Sequence, residues 1–317
     1  MCSLSIIVPV KNAEKYIGKC LESLLCQDID EIIVVNDHSQ DKSDQVIREY
    51  TLDSRILYVE TEEYGVATAR NVGLSIASGE IIGFCDADDM VELTMAATVK
   101  DFFSGHEKAS ILVTGYHVGD DSSGEVPIIK RIADRRGYWK RDDVLKQVIC
   151  NANGYVWNKY FRRRVVDDVR FDRELFFCED TEFCVRAMLG CTDEEIYVTD
   201  VITYNYLQHP ESATNDMNIF FASETGELLY GRAFLCMLKN VEIPPRIHKF
   251  VEYKLFVLCI DALSKYSIDK RNTKTMVEYM HKCKKSFLTL LSVQWKENVK
   301  RLFRFIFRMR DGRPFMW

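Results

Sequence analysis

Leu4-Ser-Ile-Ile-Val-Pro-Val10 is a short apolar run rich in Ile and Val. Ile17, Cys20, Leu21, Leu24 and Leu25 then share one helical stripe within residues 13–27, and Glu31-Ile-Ile-Val-Val-Asn36 is a second apolar run. The period therefore switches from strand to helix and back within forty residues. The alternation continues outward, with a helix expected over 44–50, a strand over 55–59, a helix over 66–77 and a strand over 80–85. Gly79 falls near the C′ position of the third helix, where a left-handed residue is favoured. This order predicts βαβ units and a mostly parallel sheet covered on both faces.

Beyond residue 91 the pattern is mixed. Strands are expected over 110–116, 196–198 and 202–206, helices over 141–150 and 181–189, and an exposed loop over 120–124. After Asn218 only helical periodicity remains, over 219–238, 246–266, 273–291 and 292–309, with Pro244-Pro245 marking the first gap. The fold class read here is α/β, a Rossmann-like sheet followed by a helical region.

The 317 residues are 47% hydrophobic and 28% charged, with 15 Gly and 6 Pro, which excludes collagen-like and wholly disordered classes. No apolar run approaches the twenty or so residues a spanning helix needs, and the first residues lack a signal-peptide pattern. Eleven cysteines without a CxxC pair read as reduced, mostly buried residues of a cytoplasmic protein. The net charge of −6 hides a split: residues 239–317 carry 18 Lys and Arg against 7 Asp and Glu, leaving 24 against 41 in the rest. An acidic body argues against a nucleic-acid partner and suits carboxylates gathered around a metal.

Open α/β sheets bind ligands at the carboxyl ends of their strands. There this sequence places Pro9-Val10-Lys11-Asn12-Ala13-Glu14, then Asn36-Asp37-His38-Ser39, then Asp86-Ala87-Asp88-Asp89. An Asp-x-Asp pair is weak by itself among 25 Asp, and Asp28-Ile29-Asp30 reads as a solvated turn. Three carboxylates in four residues behind an apolar strand are different, because they repel unless a cation joins them. Asp89 also suits the N-cap of a helix starting near Val91. No glycine-rich turn follows the first strand, so a dinucleotide fingerprint and a phosphate loop are both excluded. Glu179-Asp180 opens a helix, where acids are favoured in any case.

Taken together, residues 5–17 and 31–39, Gly65-Val-Ala-Thr-Ala-Arg-Asn-Val-Gly-Leu74 and Gly79-Glu-Ile-Ile-Gly-Phe-Cys-Asp-Ala-Asp-Asp89 resemble the family 2 inverting glycosyltransferases of the GT-A fold, of the bacterial surface-polysaccharide type. Val156-Trp-Asn-Lys-Tyr-Phe-Arg-Arg163, Phe177-Cys-Glu-Asp-Thr-Glu-Phe183 and Tyr204-Asn-Tyr-Leu-Gln-His-Pro-Glu-Ser212 continue the resemblance. It implies a GT-A catalytic domain over 1–218, with a nucleotide-sugar half over 1–90 and an acceptor half over 91–218, then a helical, basic region over 219–317. It implies that Pro9, Val10, Glu14 and Asp37 form the uridine pocket, and that Arg70 approaches the nucleotide or diphosphate. Asp86 and Ala87 would hold the ribose side, Asp88 a Mn²⁺ or Mg²⁺ ion, and Asp180, beside Glu179, would be the catalytic base. His209 and Ser212 resemble positions near the diphosphate or metal. Trp157 has two readings, an aromatic face for a sugar or a buried core residue.

The sequence departs from the family pattern at Asn36, His38, Glu62 and Glu63; His tolerates a positive φ, so the turn at His38 can survive. The implied activity is transfer of a sugar from a UDP-sugar to a hydroxyl of a glycan or lipid-linked acceptor. The competing readings are an inactive nucleotide- or carbohydrate-binding homologue and a sugar-nucleotide pyrophosphorylase. Retention of Asp86, Asp88 and Asp180 opposes the first, and the missing glycine-rich first turn opposes the second. Over residues 295–309, Leu302, Phe303, Phe305, Ile306 and Phe307 share one helical face, opposite Lys300, Arg301, Arg304 and Arg308. That face suits either a membrane interface on the cytoplasmic side or packing, including homo-oligomerisation.

Overall fold

The computed structural model describes residues 2–120, 128–131, 136–151, 153–209, 229–240, 242–265 and 270–289. The first half alternates β1 (Leu4–Val10), α1 (Ile17–Leu25), β2 (Glu31–Asn36), α2 (Ser43–Tyr50), β3 (Ile56–Glu60), α3 (Val66–Ile76) and β4 (Ile81–Phe84). A two-residue β5 (Met90–Val91) leads to α4 (Met95–Gly105), β6 (Ile111–Asp120), β7 (Ile128–Lys130), β8 (Gly137–Trp139) and α5 (Arg141–Cys150). Then come β9 (Lys159–Arg162), α6 (Arg163–Val166), α7 (Glu179–Leu189), β10 (Ile196–Gln208), α8 (Leu229–Asn240), α9 (Pro245–Lys265) and α10 (Lys270–Thr289).

These strands form one sheet in the order β3-β2-β1-β4-β9-β6-β10-β5, with β7 beside β6 and β8 beside β10. The parallel pairs β1–β2, β2–β3 and β1–β4 lie together, and β9 joins antiparallel to both β4 and β6. The chain runs from β1 outward to β3 and returns to the other side of β1, so the carboxyl ends of β1 and β4 flank a topological switch point.

Both faces are buried, and that is why β1 and β2 read as continuous apolar runs. Ile7, Ile33 and Val35 face a core completed by α3, α5, α7 and the later helices. Ile6, Val8, Ile32 and Val34 face a second core containing Ile17, Leu21 and Phe103. Phe234, Phe250 and Phe287 belong to the first core, so α8–α10 pack on the same layer as α5 and α7. No described helix is long and apolar enough to cross a membrane.

Several expectations are corrected. Gly79 does not cap α3: its backbone passes so close to β1 that a Cβ would lie 2.5 Å from Ser5 Oγ and 2.7 Å from Ser5 N. The helix expected near Val91 begins at Met95, and Asp89 caps nothing; it is buried and accepts from Tyr204 Oη (2.7 Å) and Leu207 N (2.8 Å). The strands expected over 196–198 and 202–206 are one strand, β10, with a register shift between Val198 and Ile202. The polar Thr199-Asp200 inside it breaks the apolar period because it sits in that bulge. Asp28 and Asp30 are exposed, as the solvated-turn reading expects, and both also pair with the buried Lys100, at 2.9 and 2.8 Å. The boundary at 218, Ser212, the loop over 121–124 and the amphipathic stretch over 295–309 lie outside the described residues.

Candidate active site

The end of β1, the end of β4 and the start of α7 open onto one cavity of about 440 Å³. Pro9, Arg70, Asp86, Ala87, Asp88, Glu179, Asp180, Trp157 and His209 all line it, although they come from motifs up to 200 residues apart. Among the described residues three non-glycine positions adopt the left-handed conformation: Asn12 (φ 50°) after β1 and Cys178 (φ 57°) before α7, which both line the cavity, and His38 (φ 54°) after β2. Such backbone costs energy and persists where the surroundings dictate it. The turn at His38 survives as expected.

Arg70 joins the two acidic motifs. Its guanidinium, 6% exposed, donates to Glu179 Oε1 at 2.6 Å and to Asp86 Oδ1 at 3.0 Å, over the ring of Phe171. It lines the cavity, the place where a nucleotide or diphosphate is expected to approach it, while these two carboxylates hold it.

The two acidic motifs differ in environment. Burial and the neighbouring Asp86 carboxylate push Asp88 above the ordinary carboxylate value, and hydrogen bonding to His209 opposes this. His209 Nε2 lies 2.9 Å from Asp88 Oδ2, and its ring stacks on Tyr16 with centroids 4.4 Å apart. Burial, then the adjacent Glu179 charge, raises Asp180 to about 7, with Arg70 pulling the other way. Thr181 N donates to Asp180 Oδ1 at 2.6 Å.

Three of the residues expected in the uridine pocket do not line the cavity. Glu14 is exposed, and its Oε2 accepts from Lys42 N (2.8 Å), capping α2. Val10 is buried in the second core. Asp37 accepts from Gly65 N (2.9 Å) and Lys11 Nζ (3.3 Å), tying β2 to the turn before α3. Trp157 is buried, as one of its two readings expects, and still lines the cavity. It is 2% exposed and stacked between Tyr155 (4.8 Å) and Tyr204 (4.3 Å).

Other lining residues were given no role by the sequence: Lys11 and Asn12 stand in the stretch expected at the strand edge, and Tyr16 follows close behind it. Phe234 on α8 and Lys254 on α9 carried no signal, since only packing brings those helices to the cavity.

A doubly wound sheet whose switch point faces such carboxylates is the architecture of a nucleotide-binding α/β enzyme. The model of glycosyl transferase family 2 matches residues 5–170, and the chain belongs to that family. It is 35% identical to glycosyltransferase GlyG of Streptococcus pneumoniae serotype 4 over 270 residues, covering 78% of this chain and 85% of GlyG. It is 32% identical to glycosyltransferase GlyA of the same organism over 179 residues, 53% of this chain; the match spans only 26% of GlyA. The structure of S. aureus TarS 1–349 in complex with UDP-GlcNAc has the same fold, with a TM-score of 0.65, 19% identity, and coverage of 93% of this chain and 92% of that one.

Proposed function

We propose that this chain is a metal-dependent inverting glycosyltransferase. It moves a sugar from a UDP-sugar to a hydroxyl of a polysaccharide or other glycoconjugate acceptor. The observation that carries this reading is the single cavity shared by Asp88 and Asp180, the first suited to a cation and the second to a proton. The solved complex of TarS with UDP-GlcNAc supports a UDP-sugar donor.

The donor set fits a hard divalent ion. Among the described residues no group of three or more His, Cys, Asp or Glu could hold a metal. Mg²⁺, however, is commonly held by one or two carboxylates together with substrate phosphates. Asp88 is partly desolvated beside another carboxylate, which disfavours its charged form unless a cation balances it. Asp88 and His209 would hold the ion, which supplies charge neutralisation to the departing diphosphate.

The remaining chemistry belongs to the chain's own groups. Pro9, Asp86 and Ala87 border the nucleotide end of the cavity. Arg70 keeps Asp86 and Glu179 in register, so the donor and base ends stay at fixed separation. Asp180 accepts the acceptor's hydroxyl proton as that oxygen attacks the anomeric carbon. Attack opposite the leaving group inverts the centre through an oxocarbenium-like transition state. The raised Asp180 suits it to take up a proton near neutral pH.

Nucleotide-sugar donors place the reaction in the cytoplasm. The basic stretch over 295–309 would bring the enzyme to the inner membrane face or to a second copy of itself. The deciding experiment follows release of nucleotide diphosphate from UDP-GlcNAc, UDP-Glc, UDP-Gal and GDP-Man, with Mn²⁺, with Mg²⁺ and with EDTA. Metal-stimulated release from a UDP-sugar, lost in Asp180→Asn, is the expected result. Release unaffected by EDTA removes the metal from the proposal.

A further inference from the structure

Lys159, the first residue of β9, is wholly buried. Its Nζ donates to Asn153 O (2.8 Å), to Asn158 Oδ1 (2.7 Å) and to Tyr155 O. Asn158 Nδ2 donates to Thr114 O, which fixes the orientation of that amide. Three oxygen acceptors match the three N–H groups of an ammonium and leave no place for the lone pair of a neutral amine. The side chain is therefore charged, although burial pulls its pKa down. A dry ammonium bonded to neutral oxygens is costly, and a loop could be held more cheaply by an amide.

The two carbonyls it grips flank Gly154. That residue bears directly on the start of α7: a Cβ at Gly154 would overlap Thr181 Oγ1 and lie 2.7 Å from Thr181 Cβ. Thr181 in turn donates from N (2.6 Å) and from Oγ1 (3.4 Å) to Asp180 Oδ1. The path from Lys159 to the carboxylate is continuous and rigid, and it crosses from β9 to α7 through one glycine.

We infer that Lys159 is a positioning residue for Asp180: by pinning the carbonyls on either side of Gly154 it seats Thr181, which fixes the carboxylate with Oδ2 left for the acceptor. The inference rests on the reading of Asp180 as base. The charge has a second consequence. The groups acting on Asp180 are Glu179 from its own helix, Arg70 from α3, Lys159 from β9, Tyr155 from the preceding loop and Cys184 one turn along α7. Lys254 on α9 also lines the cavity. Arg70 is already shared by Asp86 and Glu179, so Lys159 is a cation near Asp180 not committed to another carboxylate by a hydrogen bond.

The test uses the full chain labelled with ¹³C-aspartate. The Asp180 carboxyl is assigned by its loss in Asp180→Asn and titrated in wild type, Lys159→Met and Thr181→Val. UDP release from UDP-GlcNAc is followed across the same pH range per folded enzyme. Lys159→Met should raise the Asp180 midpoint by about one unit or more. It should also lower kcat by about ten- to a hundredfold while the KM for UDP-GlcNAc stays within about twofold. Thr181→Val should move the midpoint the same way by less. If both midpoints stay at the wild-type value while thermal stability falls, Lys159 only holds a loop and the inference is wrong. If Lys159→Met fails to fold, Gly154→Ala, whose added Cβ must displace Thr181, decides in its place, and an unmoved midpoint overturns the inference. Undiminished UDP release in Asp180→Asn instead overturns the base reading and leaves the titration result standing.

Discussion

The acidic cluster behind β4 and the acidic pair at the start of α7 line one cavity and share one arginine, yet their surroundings separate them. Asp88, with about a third of its side chain exposed, faces a histidine at hydrogen-bond distance. Asp180 is raised chiefly by burial, and its Oδ1 is held by the next residue's N–H. Burial and a neighbouring carboxylate raise both Asp88 and Asp180, and the motifs differ in what opposes that rise, His209 at the first and Arg70 at the second. Arg70 ties the motifs together, so neither can move independently.

The comparison breaks most sharply at Asp180. Asp180→Asn keeps the shape but cannot accept a proton, so transfer should fall by about two to four orders of magnitude. Binding of the UDP-sugar, read by calorimetry, should change little; loss of donor affinity would move Asp180 into the donor site.

The connection comes next. Arg70→Met leaves the buried Glu179 and the half-buried Asp86 without their shared cation, and should cost about 3 kcal/mol of stability in chemical denaturation. Glu179→Gln in the same background should recover part of it. Absence of recovery would mean that the two motifs are not coupled through the guanidinium.

At the other cluster, Asp88→Asn should weaken metal activation about a hundredfold, with Mn²⁺ titration as the readout. Melting temperature should change little, or rise, because the removed carboxylate was disfavoured by Asp86. Equal metal affinity in wild type and variant would remove Asp88 from the ion.

The smallest effect sharpens the difference in protonation. Asp180 is raised in the folded chain to about 7. Its contribution to stability is therefore present below its unfolded value and is lost as pH rises through 7. Asp180→Asn should melt above wild type at pH 8, and the gap should close toward pH 4. Transfer by wild type should decline about tenfold per pH unit below 7, because only the ionised carboxylate accepts a proton. A pH-independent gap in melting temperature would contradict the raised value.

The sequence alone determined the elements of the nucleotide half. β1, β2 and α3 fall within a residue or so of their expected bounds, because an apolar run or stripe flanked by polar residues is a local signal. The order of motifs also placed Asp86, Asp88, Asp180 and His209 in one site before any geometry was known. The tertiary structure decided which polar groups were spent on architecture. Glu14 and Asp37, expected at the nucleotide, and Asp89, expected as a helix cap, have carboxylates that here cap α2, hold the turn at Gly65 and anchor β10. Arg70 takes its role from Glu179, 109 residues away, and Lys254 reaches the cavity on a helix with no motif at all. A carboxylate or an ammonium has the same letter whether water, a backbone N–H or another charge faces it, and only packing of distant segments sets which of these it meets.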